Sequence, residues 1–368
     1  MHDPIYVTRP FLPPLAEFMP MLEQIWERRV LTNSGPFHQE LETRLGEFLD
    51  TPFISLASNG MLALSVAMEV AGLEGEVVTT PYSFVATTHS VALQRLTPVF
   101  ADVRASDLNI DPAAIEAAIT PRTSAILGVH CYGNPCAVDV IDAIAAKRGL
   151  KVVYDAAHAF GVRIHDRGVL TYGDFSAVSF HATKAFNTFE GGAVIAATAE
   201  AKLAVDRQKN FGIADEINIP TAGSNAKMSE LNAAIGLLQL NHFGTVLRER
   251  RRVDALYRSA LANVEGIAPL AVPEGVEPNF SYFPILVGDA FPLSRDDLYD
   301  HLKARGIFSR RYFFPLLSNL SMYQSLPSAA HGNLPVANDA AARILCLPIY
   351  PELTDLQVER IASTILAV

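Results

Sequence analysis

The sequence predicts an α/β protein: a large N-terminal domain on a mostly parallel sheet, then a smaller C-terminal α+β domain. Three observations carry this. From about residue 53 to 200, short β-branched or apolar runs alternate with longer amphipathic ones, the pattern of successive βα units. Past residue 228 the texture changes to one long helical stretch and then to proline-rich segments. The chain has 368 residues, enough for two lobes around separate cores.

In chain order, the predicted strands are Glu76–Thr79, Thr97–Ala101, Ser124–Val129, Lys151–Tyr154, Ala177–Phe180 and Gly192–Ala196. Between them lie predicted helices at Met61–Ala71, Ser83–Leu93, Asp111–Ala118 and Val138–Arg148. Two helix starts carry specific signals. Asp111-Pro112 sets a capping side chain before a proline at the first helical position. Asn59-Gly60 is a turn opening directly into Met61–Ala71. Further on, Met228–Val264 reads as mostly helix, with Leu231, Ile235, Leu238, Leu240 and Leu247 available for an apolar face. A short strand at Tyr282–Val287 and a final helix near Thr354–Ala367 follow. The expected division sets residues 1–240, with an N-terminal arm, against residues 241–368.

Half of the residues are hydrophobic and 18% are charged, a soluble globular composition. The formal net charge of -10 excludes a nucleic-acid partner, because phosphate backbones need a basic face. The densest basic run, Arg248, Arg250, Arg251 and Arg252, reads as a solvated helix face. Cys131, Cys136 and Cys346 form neither a disulfide framework nor a metal-ligand spacing, so the expectation is a reducing, cytoplasmic setting without a bound metal. Met1–Pro14 shows no apolar signal-peptide core. No stretch reaches about 18 uninterrupted apolar residues, so no membrane span is expected.

Three features carry chemistry. Lys184, in Ser179-Phe-His-Ala-Thr-Lys184, follows a predicted strand. Its amine could condense with the aldehyde of pyridoxal phosphate (PLP), although a lone lysine after a strand is ordinarily a solvated one. Asp155 ends the apolar run Val152-Val-Tyr-Asp155, where ligands gather in open α/β sheets. A carboxylate there could keep a pyridine nitrogen protonated; the plainer reading is a helix cap. Ser58-Asn59-Gly60 opens a helix whose free N–H groups suit a phosphate, and Ser179 could add a hydroxyl. The Ser179–Lys184 spacing does not match the Ser-x-x-Lys nucleophile arrangement. Together, a phosphate site, a strand-end carboxylate and a later lysine are the three anchors that a PLP ring needs.

On these residues the chain resembles the DegT/DnrJ/EryC1/StrS family of PLP-dependent sugar aminotransferases, within PLP fold type I (aspartate-aminotransferase-like). The resemblance runs almost end to end. Its most specific stretch is Ser179-Phe-His-Ala-Thr-Lys-Ala-Phe-Asn-Thr-Phe-Glu-Gly-Gly192. Asp155-Ala-Ala-His158, Thr80-Pro-Tyr-Ser-Phe84-Val-Ala-Thr87 and Asn225-Ala-Lys-Met-Ser-Glu-Leu-Asn-Ala-Ala-Ile-Gly236 support it. The resemblance is greatest to the branch acting on dTDP-4-keto-6-deoxyhexoses, which makes 4-amino (viosamine-type) or 3-amino sugars.

The resemblance implies a role for each residue. Lys184 would tether PLP and carry the proton between C4′ and the sugar carbon, and Asp155 would pair with the pyridine nitrogen. His158 would lie near O3′, Phe84 would stack on the ring, and Ser179 would bind the phosphate beside Gly60 and Met61. Asn225 would reach the phosphate of a neighbouring subunit's cofactor, which implies a homodimer with shared active sites. L-Glutamate would be the donor and a nucleotide-linked keto sugar the acceptor. His181 and Arg311 are further substrate candidates, Arg311 because a guanidinium matches phosphate and carboxylate alike. Met61 departs from the family's threonine or serine and would cost a hydroxyl contact to the phosphate. Three alternatives stand beside this reading: a sugar dehydratase, which lacks the lysine; another fold-type-I PLP reaction; and a non-catalytic regulatory member of the family.

Overall fold

A computed structural model describes residues 3–368. At its centre is a seven-stranded sheet. In chain order its strands are β1 (Ile54–Ala57), β2 (Glu76–Thr79), β3 (Thr97–Phe100), β4 (Thr123–Val129), β5 (Lys151–Asp155), β6 (Phe175–Ser179) and β7 (Gly192–Ala196). Across the sheet they run β1-β7-β6-β5-β4-β2-β3. β7 is antiparallel to both neighbours; every other pairing is parallel. The central strands are short apolar runs because both of their faces are covered: Ala125–Val129 and Val152–Asp155 are buried without a break.

Alternate residues along each strand enter different cores, as a two-residue side-chain period demands. Helices α1 (Leu15–Arg28), α2 (Pro36–Phe48), α3 (Gly60–Val70), α4 (Val85–Leu93), α5 (Pro112–Ala118), α6 (Val138–Arg148), α7 (Ala199–Gln208) and α8 (Glu230–Leu261) surround the sheet. Val77, Leu127, Val153 and Val194 pack with Ala63, Leu64, Ala67 and Met68 of α3. On the other face, Val178 and Ile195 meet Leu41 and Leu45 of α2 and the first half of α8. There too, Val78, Ile126 and Val152 meet Ile141 and Ile144 of α6.

Position 240 lies inside α8, one continuous helix shared by two cores. Ala233, Ile235, Leu238, Leu240 and Phe243 belong to the sheet core. Val253, Tyr257 and Leu261 belong to a C-terminal core. That core is built on a three-stranded antiparallel sheet of β8 (Ile267–Pro269), β9 (Phe283–Val287) and β10 (Ile344–Leu347). Helices α9 (Arg295–Ala304), α10 (Pro335–Arg343) and α11 (Asp355–Leu366) complete this region. Leu231, expected on the apolar face, is 41% exposed.

The basic run in α8 is not a uniformly solvated face. Arg250 is 2% exposed, and its Nη1 donates to the carbonyls of Phe280 (3.2 Å) and Ile349 (3.3 Å). Burying a guanidinium requires partners of this kind, and they come from loops distant in sequence. Arg252 instead pairs with Glu249 and Asp355 near the surface. All three cysteines are buried as free thiols. Among the described residues no helix is long and apolar enough to cross a membrane.

Candidate active site

The carboxyl ends of β1, β2, β5 and β6 point the same way, and the loops leaving them converge, as open α/β sheets require at a ligand crevice. After β1, Asn59 caps α3 with its side chain, Oδ1 accepting from Leu62 N at 2.9 Å; such a cap contributes about 1 kcal/mol. The Gly60 and Met61 N–H groups are then left without intrahelical acceptors. Glycine is required at position 60 because a Cβ there would sit 2.7 Å from Ser179 Cβ. The close approach sets the start of α3 against Ser179 at the end of β6. Backbone N–H groups, helix dipole and hydroxyl together form an anion site.

At the end of β5, Asp155 is buried yet bonded on both oxygens. Thr87 Oγ1 donates to Oδ2 at 2.7 Å, and Ala157 N donates to Oδ1 at 3.1 Å. Ser83 Oγ lies 2.7 Å from the same threonine oxygen. Burial pushes the Asp155 carboxyl above the usual carboxylate range, against Thr87, Ala157 and Lys184, which favour its charged form. A carboxylate held this way is short of a cation. Three residues on, His158 Nδ1 accepts from Tyr132 N at 3.2 Å, which leaves the proton on Nε2. Burial, then the nearby Lys184, hold His158 well below the ordinary histidine range, so the imidazole is neutral.

The loop after β6 carries Lys184, whose backbone N bonds His181 O. Its Nζ donates to Tyr282 Oη at 3.3 Å. Burial pushes the ammonium down to about 8, with Asp155 opposing. At pH 7 roughly a tenth of such lysines are neutral, against fewer than about one in a thousand for an ordinary lysine.

One cavity of about 300 Å³ brings together Lys184, Asp155, His158, Phe84, Ser179, Gly60, Met61 and His181. Phe84 caps α4 and is 57% exposed at the cavity wall. His181 Nε2 stands 3.6 Å from Glu190 Oε1. Two expected residues lie outside the cavity lining. Arg311 is held in the C-terminal region, its Nε 2.9 Å from Asp296 Oδ1 and its guanidinium 4.0 Å over the Tyr299 ring. Asn225 is exposed, its backbone bridging Asn210 and its Oδ1 accepting from Lys227 Nζ at 2.7 Å.

Sequence reasoning missed Glu190, Tyr282, Tyr312 and Phe313, which also line the cavity, and the part played by Thr87. Thr87 and Glu190 lie inside the segments that carry the family resemblance. The three aromatic residues carried no local signal, since they arrive from beyond residue 280.

The donor set suits a flat heterocycle with a basic ring nitrogen, an aldehyde and an anionic group: one carboxylate, one amine poised near neutrality, and a helix start with a hydroxyl. Over 366 residues, the chain is 53% identical to the dTDP-4-amino-4,6-dideoxy-D-glucose transaminase of Shigella dysenteriae, covering 99% of each chain. It is 51% identical to the Escherichia coli transaminase of the same name, covering 98% of each. The crystal structure of DesI in the presence of its TDP-sugar product superposes with a TM-score of 0.94 at 36% identity, over 99% of this chain and 92% of that one. Residues 15–366 match the model of the DegT/DnrJ/EryC1/StrS aminotransferase family, and the chain belongs to that family.

Proposed function

We propose that this aminotransferase uses PLP to move the amino group of L-glutamate onto C4 of a dTDP-4-keto-6-deoxyhexose, releasing dTDP-4-amino-4,6-dideoxy-D-glucose or a close stereoisomer. One observation carries the reading: Lys184 and Asp155 open onto the same cavity as the Gly60–Met61 helix start and Ser179. The choice of sugar and of C4 rests on the two transaminases more than half identical to the chain.

When bound, PLP supplies a carbonyl carbon that takes up the amino group and a ring that accepts electron density as the neighbouring C–H bond breaks. The protein's residues do the rest. Lys184 would tether the group and carry the proton, and its lowered basicity leaves enough neutral amine for both tasks. Asp155 supplies the negative charge that keeps the ring nitrogen protonated, and Thr87 orients it. His158, its Nδ1 taken by Tyr132 N, would have Nε2–H free for a ring oxygen. Gly60, Met61 and Ser179 would hold the phosphate, and Phe84, on the same cavity wall, would cover the ring. His181 and Glu190 stand toward the substrate. Asn225, exposed on this chain, serves the site of a second copy in a homodimer.

The test is direct. PLP added to the purified protein should raise a visible absorbance band that L-glutamate depletes and the dTDP-4-keto sugar restores. Lys184→Ala should abolish the cycle. Failure of the keto sugar to restore the band, with no 4-amino sugar by mass spectrometry, would sink the assignment.

A further inference from the structure

Tyr282 lies just ahead of β9, about a hundred residues along the chain from Lys184, yet its phenol is the hydrogen-bond partner of the Lys184 amine, at 3.3 Å. The amine also lies 5.8 Å from the centre of the same ring. Among the described residues no other hydrogen bond is made by either the Lys184 amine or the Tyr282 hydroxyl.

The ring is fixed from several sides. Its edge packs on His158 with centroids 4.8 Å apart, on Tyr132 at 5.6 Å and on Tyr312 at 5.8 Å. The backbone leading to it is gripped as well. Arg250 Nη1 donates to the carbonyls of Phe280 and Ser281, Ser281 Oγ donates to His158 O, and Asn279 Nδ2 donates to His158 O and Phe160 O. The loop carrying Tyr282 is thus tied to the loop carrying His158. Burying the Arg250 guanidinium is costly unless it is hydrogen-bonded, and two of its three acceptors belong to this short segment, the third being Ile349 O.

We propose that Tyr282 is a positioning residue for Lys184, its phenol holding the amine nitrogen on the cavity side through both protonation states. A phenol can accept from an ammonium and donate to a neutral amine, so the lysine keeps a partner as it gains and loses its proton. Burial holds the Tyr282 hydroxyl well above the ordinary tyrosine range, so it stays a neutral phenol rather than a competing anion. Other titratable groups facing the amine are Asp155 at the end of β5 and His158 behind it. His181 and Glu190 stand on the amine's own loop, and Tyr132 and Tyr312 lie beyond Tyr282. Arg250 lies behind the Tyr282 ring.

The inference rests on Lys184 being the proton carrier. Its test is Tyr282→Phe, which keeps the ring and its packing. PLP-loaded wild type and variant are mixed with L-glutamate, and the cofactor absorbance is followed through a single turnover across pH. The expected result is an unchanged starting band, half-saturation by glutamate within about twofold, and a maximal rate about tenfold lower or more, the effect of one hydrogen bond to a charged group. The pH midpoint of that rate should also fall, because a hydrogen bond to the ammonium is the stronger of the two and its loss costs the charged form more. A rate within about twofold of wild type overturns the proposal. So does a slower rate with an unmoved midpoint, which would make the hydroxyl a packing group, and so does loss of the starting band in the variant. Absence of a band in wild type strikes instead at the proposed function.

Discussion

Thr87 Oγ1 reaches Asp155 Oδ2 across 2.7 Å, joining the first turn of α4 to the end of β5 inside the cavity wall. The threonine orients the carboxylate and favours its charged form, against burial that favours the neutral one. Thr87→Val keeps the shape and removes the donor. A hydrogen bond to a charged group is worth about 1.5–3 kcal/mol, so PLP should bind about tenfold more weakly or worse. Fluorescence titration of cofactor binding measures this, with the thermal midpoint as a check on folding. Unchanged affinity would mean that Asp155 does not meet the ring nitrogen.

Met61 stands at the start of α3, half-buried and lining the cavity, and brings no hydroxyl to the phosphate site. Thioether sulfur is a poor partner for phosphate, and methionine readily fills gaps. Met61→Thr should therefore tighten PLP binding by about threefold to tenfold, the value of one neutral hydrogen bond. Equilibrium dialysis against PLP decides it: no tightening means that the backbone N–H groups already satisfy the phosphate.

The amine of Lys184, pushed down to about 8 by burial, makes cofactor capture a reporter of its own titration. Only the neutral amine has a lone pair for the aldehyde. With cofactor-free protein, the rate of band formation after adding PLP should rise with pH up to about 8 and flatten above it. An ordinary lysine would keep rising toward about 10.4. A continued rise past pH 9 would show that the site does not lower the lysine's basicity.

Much of this site is legible in the sequence because local chemistry announces it. Asp155 closes the apolar run Val152-Val153-Tyr154, Asn59-Gly60 combines a cap with a turn, and Lys184 follows a strand. The α/β alternation is equally plain where strands are buried on both faces. What escapes is non-local. α1 carries Pro20 inside it, a residue that ordinarily ends or kinks a helix, although Phe18, Met21, Leu22 and Ile25 reach the core at helical spacing. α2 begins at Gly35-Pro36 with no capping side chain. Arg250 sits in a run of arginines that any reading of charge would leave in solvent, and its partners lie 30 and 99 residues away. Arg311 shows the converse: a guanidinium of the right chemistry is already engaged by Asp296 and Tyr299.

Asn225 gives the sharpest test of a shared site. On its own chain it is exposed, outside the cavity and held by Lys227, so a role at the phosphate requires a second copy to present it. The expectation follows from two-fold symmetry, in which each subunit gives to its neighbour what it receives. Lys184→Ala and Asn225→Ala should each abolish or strongly reduce turnover as homodimers. Unfolded and refolded together in equal amounts, they form heterodimers in which one site has lost both residues. The other site joins an intact Lys184 to an intact Asn225. Half of the dimers are then mixed and half of their sites are whole, so activity should return to about a quarter of wild type. If the mixture is no more active than its two parents, Asn225 does not complete a neighbour's site.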